Sequence, residues 1–302
     1  MRKPTRIPRV PLFPSYAAGG VPATVAESSL LEMDLGIAIR ANALGVEYQP
    51  QFDLRSGWGC GVEALARWVL PTGERVAPSV FIPLAERTGM IHALGASVLA
   101  SACETARAWC NLDARATTLS VNVSALQVNR HFLAVLEECL DQSGFPAAQL
   151  ELEITESALI GDADLAIEHL QQWRDLGVRI ALDDFGTGYS SLAYLSRLPI
   201  DRLKLDQSLL HRMTTDRKSL IIIRSILALA ADLGIEVLAE GIETEGQLAM
   251  ISDLGCPRAQ GHLLARPMPA AQAQAVLRQS WGNRPAADCR FAGNAHGECR
   301  VH

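Results

Sequence analysis

Val178-Arg179-Ile180-Ala181-Leu182-Asp183-Asp184 is a short apolar run closed by two adjacent aspartates, and Phe185-Gly186-Thr187-Gly188-Tyr189-Ser190-Ser191-Leu192 follows directly. An apolar run bounded by turn residues predicts a buried strand. Two neighbouring carboxylates at its end repel each other and resist burial. A hard divalent cation removes both costs, because it favours carboxylate oxygen ligands. A local alternative needs no metal: Asp184 caps a helix and Asp183 faces water. The rest of the chain decides between the two.

The 302 residues suffice for one large α/β barrel or two smaller domains. Apolar residues make up 49% and charged residues 20%, a globular composition. The formal net charge of -6 gives no basic footprint for a nucleic-acid polymer, but it leaves room for a small anionic ligand held locally or through metals. No uninterrupted apolar run reaches the roughly 18 residues expected of a membrane span. Arg2, Lys3, Arg6 and Arg9 precede no apolar core; Pro4, Pro8, Pro11 and Pro14 interrupt the segment, which excludes a signal-peptide pattern. Seven cysteines without regular spacing predict a reducing cytoplasm rather than a disulfide framework.

Residues 1–27 are rich in Pro, Ala and Gly and read as a flexible lead-in. Residues 282–302 read as a disordered tail whose Cys289, His296, Cys299 and His302 match no zinc spacing. Between them, over 28–281, the chain alternates. Strand patterns fall at Val46–Phe52, Gly61–Trp68, Thr117–Val123, Gln149–Ile154, Val178–Leu182, Arg202–Leu205, Ile235–Ala239 and Arg258–Gly261. The clearest helical patterns are Ala93–Trp109, Phe132–Gln142, Asp164–Leu176, Leu220–Leu233 and Glu245–Leu254, several of them closed by glycine (Gly144, Gly177, Gly234, Gly255). Strands alternating with helices in this number predict a single TIM-like (β/α)₈ barrel. Only Asp53–Gly61 separates the first two strands, too short for a helical crossover, so they are expected to pair antiparallel. An open doubly wound sheet is the alternative, and no GxGxxG follows any strand to support it.

Chemistry in such a barrel gathers at the C-terminal strand ends. Seven strands bring polar groups there: Glu63; Asn122; Glu153 and Glu156; Asp183 and Asp184; Lys204 and Asp206; Glu240 and Glu243; and Gln260. Both faces of a barrel strand are normally buried, so acidic residues within it demand partners. Any one of them has a local explanation, with Glu63 paired to Arg67 or Lys204 to Asp206. As a set they read as a site. Oxygen donors predominate, and His262 is the one His or Cys near these positions, which favours Mg²⁺ or Mn²⁺ over zinc. Adjacent aspartates let Asp183 bridge two metals while Asp184 binds the second, an arrangement suited to phosphodiester hydrolysis. Lys204 is then placed to hold or deprotonate the attacking water or to stabilise charge on phosphorus oxygens. Arg67 is suited to fixing a phosphate.

Taken in order, the motifs resemble the EAL-domain cyclic-di-GMP phosphodiesterases. The matching blocks are Glu63-Ala64-Leu65 with Ala66-Arg67-Trp68, Phe81-Ile82-Pro83-Leu84-Ala85-Glu86, Asn122-Val123-Ser124, Glu153-Ile154-Thr155-Glu156, Asp183–Leu192, Lys204-Leu205-Asp206, Ala239-Glu240-Gly241-Ile242-Glu243-Thr244 and Gln260-Gly261. The resemblance runs from about residue 30 to 280. It implies a barrel with one antiparallel strand and hydrolysis of cyclic-di-GMP to linear pGpG with two Mg²⁺ or Mn²⁺ per active site. The implied metal ligands are Glu63, Asn122, Glu153, Asp183, Asp184 and Glu240. Lys204 resembles a water-activating lysine and Gln260 a glutamine that orients water. Gln49, Leu65 and Arg67 resemble substrate contacts. Glu156 resembles an anchor for the loop after Asp184, a loop tied to the second metal and to a homodimer interface. Asp206 and Glu243 are expected to support the site from behind the ligands.

Two positions depart from the family pattern. His262 stands where an aromatic is frequent, and Gln207 where arginine is frequent. Neither removes a proposed ligand. The lead-in is too short to form a cyclase or sensor domain, so little regulation within this chain is expected, and a regulatory protein partner stays unidentified. A non-catalytic cyclic-di-GMP receptor that signals through a protein partner is the alternative from another class. A metal-dependent lyase or racemase is a third, disfavoured by the aspartate pair and Gln260.

Overall fold

A computed structural model describes residues 25–110, 117–159, 162–186 and 195–279. The segment 1–24 and the tail expected at 282–302 lie outside the described residues. A helix, Val25–Arg40, begins within the stretch read as lead-in.

Among the described residues, nine strands form one sheet: β1 (Gly45–Asp53), β2 (Gly59–Val69), β3 (Arg75–Val76), β4 (Thr118–Val123), β5 (Leu150–Thr155), β6 (Arg179–Phe185), β7 (Arg202–Leu205), β8 (Glu236–Ala239) and β9 (Arg258–Ala259). Their order is β1-β9-β8-β7-β6-β5-β4-β2-β3, and β1 also pairs with β2, which closes eight strands into a ring and leaves β3 outside it. β1 runs antiparallel to both of its neighbours. From β2 through β4 to β9 the ring is parallel. The barrel with one antiparallel strand is therefore as expected. The two-residue β3 was not, since so short an edge strand carries no periodicity.

Local chemistry starts and stops the surrounding helices. In helix Arg130–Ser143 the Asn129 side chain accepts from the His131 and Phe132 amides, and Gly144 (φ 61°) closes the far end in the left-handed region. Its buried Phe132, Leu136 and Cys139 share one face. Phe132 packs on Trp173 of helix Ala163–Asp175, with ring centroids 4.9 Å apart. The apolar layer thus lies between barrel and helices, reached by the outward residues of each strand.

The inward residues are polar. Period-two alternation puts Glu151 and Glu153 on one face of β5, and Arg202 and Lys204 on one face of β7. The lower layer is an ion cluster. Arg202 Nη1 donates to Glu151 Oε1 at 2.6 Å, and both side chains are fully buried. Ser120 Oγ donates to the same carboxylate oxygen at 2.8 Å. Arg202 Nη2, Arg179 and Arg258 all reach Glu236, at 3.0, 2.9 and 3.1 Å. Burial alone would raise the Glu236 pKa, but Arg258 and Arg202 outweigh it and hold the carboxyl below its ordinary 4.5.

This cluster makes stability sensitive to both charge and acid. Arg202→Ala leaves Glu151 buried without its cation and should lower the unfolding free energy by about 3–5 kcal/mol in urea titrations. Because Glu236 titrates below its unfolded value, its contribution is complete above about pH 4.5 and is lost as pH falls through the lower folded value. Unfolding midpoints should therefore fall below that pH, with a shallower slope in Glu236→Gln.

Candidate active site at the barrel mouth

One layer above Arg202, the Lys204 ammonium sits among four carboxylates from four other strands or strand ends. Lys204 Nζ lies 2.6 Å from Glu153 Oε2, 2.7 Å from Glu240 Oε1, 3.1 Å from Asp183 Oδ2 and 4.0 Å from Glu63 Oε1. Lys204 and Glu153 are almost wholly buried; Glu63, Asp183 and Glu240 open slightly to the mouth.

Glu63 is held from two sides. Asn122 Nδ2 donates to its Oε1 at 2.7 Å, and Gln260 Nε2 to its Oε2 at 2.6 Å. Gln260 also donates to Gln49 Oε1 at 3.1 Å, and Gln49 Nε2 donates to the Ala265 carbonyl at 3.0 Å. Gln49 faces Glu63 directly in the β1–β2 register. Gly261 lets the β9 end approach the β8 loop, since a Cβ there would collide with the Ile242 backbone. Eight predicted residues, Gln49, Glu63, Asn122, Glu153, Asp183, Lys204, Glu240 and Gln260, thus converge at one end of the barrel.

Asp184 stands beside them, exposed, with φ 55° and its amide donating to Asp183 Oδ1 at 2.8 Å. Asp206 serves a different purpose from an ion pair with Lys204: its side chain accepts from the Ser208 amide and caps helix Gln207–Met213. Arg67 turns away from Glu63, and its Nε donates to Glu47 Oε2 at 2.7 Å. Leu65 lies opposite Glu47 in the β1–β2 register. Glu243 is about half exposed and lies 3.2 Å from His211 Nε2. His262 is exposed, with its ring Nδ1 3.5 Å from Arg266 Nη1. Glu156 opens the short 3₁₀ turn Glu156–Leu159 after β5. The loop it is expected to anchor lies, at Thr187–Leu192, outside the described residues.

Sequence reading missed the lower layer of Ser120, Glu151 and Arg202, and Glu47 as the partner of Arg67. The signal for the layer was present: Glu151 and Arg202 each lie two residues before an assigned site residue, on the same strand face.

The charges at the mouth do not balance. Burial and the repulsion of Glu63, Asp183 and Glu240 push Glu153 well above the ordinary carboxylate range despite Lys204. Burial, with Asp183 and Glu63, pushes Glu240 up to about 8 against the pull of Lys204. Glu63 goes the other way: burial would raise it, but Lys204 and the hydrogen bonds from Asn122 and Gln260 hold it low. Burial disfavours the Lys204 ammonium, yet the four carboxylates hold it well above its usual value. Lys204 Nζ accordingly donates to the carboxylates that surround it in this arrangement. Among the described residues, no three His, Cys, Asp or Glu side chains form a ready-made metal cage. The donor set nevertheless fits hard divalent cations: oxygen ligands, excess negative charge, and a buried Glu153 Oε1 without a hydrogen-bond partner.

Comparison with known proteins agrees with this fold. The EAL domain family model matches residues 32–267. The bifunctional diguanylate cyclase/cyclic di-GMP phosphodiesterase MucR of Pseudomonas aeruginosa is 40% identical over 251 residues, which cover 83% of this chain and 37% of MucR. Cyclic di-GMP phosphodiesterase NbdA of the same organism is 41% identical over 249 residues, 82% of this chain and 32% of NbdA. The chain spans about a third of the length of the curated relatives it matches. The solved structure of the PaMucR phosphodiesterase in complex with c-di-GMP is similar at a TM-score of 0.76 and 40% identity, covering 80% of this chain and 98% of that one.

The imbalance predicts a cation-dependent stability. Lys204→Met removes the ammonium shared by four carboxylates and should lower the unfolding free energy by about 3–5 kcal/mol in EDTA. Added Mg²⁺ or Mn²⁺ should recover part of that loss and should raise the wild-type melting temperature as well.

Proposed function

This chain belongs to the EAL-domain family, and we propose that its barrel is a metal-dependent phosphodiesterase that hydrolyses cyclic-di-GMP to linear pGpG. The observation that carries this reading is the convergence on Lys204 of Glu63, Glu153, Asp183 and Glu240, with Asn122 and Gln260 braced against Glu63. A structural core has no need of so many buried acids around one cation. Relatives named as cyclic di-GMP phosphodiesterases and the similar complex with c-di-GMP support the same substrate.

Glu63, Asn122, Glu153, Asp183, Asp184 and Glu240 would hold the metals. Two Mg²⁺ or Mn²⁺ ions, when bound, supply Lewis acidity that makes water nucleophilic and neutralises charge on the phosphate. The chain's own groups do the rest. Lys204 is placed to hold or deprotonate the attacking water, or to stabilise negative charge as it develops on the phosphorus oxygens. Gln260 orients that water from beside Glu63 and is itself fixed by Gln49. Arg67 is set at the edge of the mouth by Glu47, ready to exchange that partner for a phosphate. Gln49 and Leu65 complete the substrate contacts.

Among the described side chains, Cys60, Cys103, Cys139 and Cys256 are free thiols, and the irregular cysteine spacing supports a reducing cytoplasm as the compartment. No helix of the described residues is long and apolar enough to cross a membrane. The family resemblance also implies a homodimer.

Purified protein incubated with cyclic-di-GMP and Mg²⁺ or Mn²⁺ should release pGpG, resolved by chromatography. Glu63→Ala and Asp183→Asn should remove most of this turnover while circular dichroism shows an intact fold. Tight binding of cyclic-di-GMP without pGpG under those conditions would defeat the phosphodiesterase reading in favour of a receptor.

A further inference from the structure

We propose that Glu86 is a positioning residue for the metal site, acting on Asn122 through Ser124 and Gln127. The proposal rests on the reading of Asn122 as a metal ligand. Asn122 Nδ2 is committed to Glu63 Oε1 at 2.7 Å, which leaves its carbonyl oxygen as the atom available to a cation. That oxygen is only as well placed as the end of β4.

The barrel ladder holds β4 to its last residue, and side chains hold the chain directly beyond it. The last residue paired with β5 is Val123. Directly beyond it, the Ser124 amide donates to Gln127 Oε1 at 3.2 Å, and Ser124 Oγ accepts from the Leu126 amide at 3.3 Å. This capping box begins the one-turn 3₁₀ helix Ala125–Gln127. Ser124 Oγ then donates to Glu86 Oε1 at 2.7 Å. Glu86 belongs to helix Pro78–Thr88, so a carboxylate from outside the barrel clamps the chain just beyond β4, two residues past Asn122.

Gln127 cannot drift. It is 2% exposed, and its amide lies against Gly95 of helix Ile91–Cys110, so closely that a Cβ on Gly95 would collide with it. Two outer helices therefore hold one strand end, Pro78–Thr88 through a charged hydrogen bond and Ile91–Cys110 through contact. A hydrogen bond to a carboxylate is among the stronger ones, and the groups behind a metal ligand commonly set its affinity.

Calorimetric titration of Mn²⁺ into the full chain tests this without relying on turnover. Glu86→Ala should weaken Mn²⁺ binding by about tenfold or more. Glu86→Gln, whose amide oxygen still accepts the Ser124 hydroxyl, should restore most of the affinity. Ser124→Ala should match Glu86→Ala, and the double variant should be no weaker than either single one, because both break the same link. A purely structural role would lower the melting temperature in EDTA and leave the Mn²⁺ dissociation constant unchanged. Wild-type affinity in folded Glu86→Ala, or losses that add in the double variant, would overturn the proposal. If Glu86→Ala does not fold, Ser124→Ala against Glu86→Gln carries the same comparison. A wild-type chain that binds no Mn²⁺ would defeat the metal-dependent reading itself, and this inference with it.

Discussion

The Lys204 ammonium, shared by Glu63, Glu153, Asp183 and Glu240, is the interaction on which the barrel mouth depends. Each carboxylate leaves water to reach it, and one positive charge cannot satisfy four negative ones in a low-dielectric interior. The consequence is visible in opposite shifts. Glu63, given hydrogen bonds by Asn122 and Gln260, stays low, whereas Glu153 and Glu240 are driven up. Acids outnumber the single base at this mouth, and their oxygen donors suit hard divalent cations.

Strand geometry explains why a second, quieter cluster lies beneath it. Once Lys204 and Glu153 point inward, Arg202 and Glu151 must do so too, two residues earlier on β7 and β5. The lower pair is the reverse of the upper in function. Arg202 is matched by Glu151 and Glu236, and Arg179 and Arg258 add further positive charge at Glu236. Acids in excess at the mouth attract a cation. Bases in excess below keep the barrel floor closed without one. Arg serves below, where its fork reaches two carboxylates at once; Lys serves above, as a compact charge that several acids can share.

Much of this was legible in the chain. The alternation of strands and helices fixed the barrel, and the short Asp53–Gly61 connection announced the antiparallel β1. The acids that converge at the mouth were readable because acids inside apolar runs are costly and so conspicuous. What escaped reading had weak local signals. β3 is two residues long. Helix Val25–Arg40 starts in a composition that looked like linker. Arg67 and Glu63 lie on the same strand face, so pairing between them was a reasonable expectation, but Glu47 from the neighbouring strand takes Arg67 instead. Long-range partners of this kind follow from register, which a single sequence does not state. The role of Asp206 went the opposite way: a plain helix cap, readable from its place before Gln207, was masked by its nearness to Lys204.

The aspartate pair itself poses a geometric problem. Neighbours on a regular strand point to opposite faces, so Asp183 and Asp184 should not share one site. The β6–β7 register departs from that regular alternation. Leu182 pairs with Leu203, but Phe185 pairs with Leu205, so β6 spends one more residue than β7 over the same span. This is a bulge, and bulges re-aim side chains beside functional sites. Asp184 takes up the extra residue with φ 55°, a left-handed conformation that aspartate tolerates better than most residues and that still costs about 1–3 kcal/mol. The Asp183 carboxylate offsets part of that cost by accepting the Asp184 amide. Burial, together with Asp183 and Asp206, raises the Asp184 pKa, so the turn concentrates charge as well as strain. A cap facing water would need neither the bulge nor the positive φ. The bulge and the positive φ fall together at the second of two consecutive carboxylates.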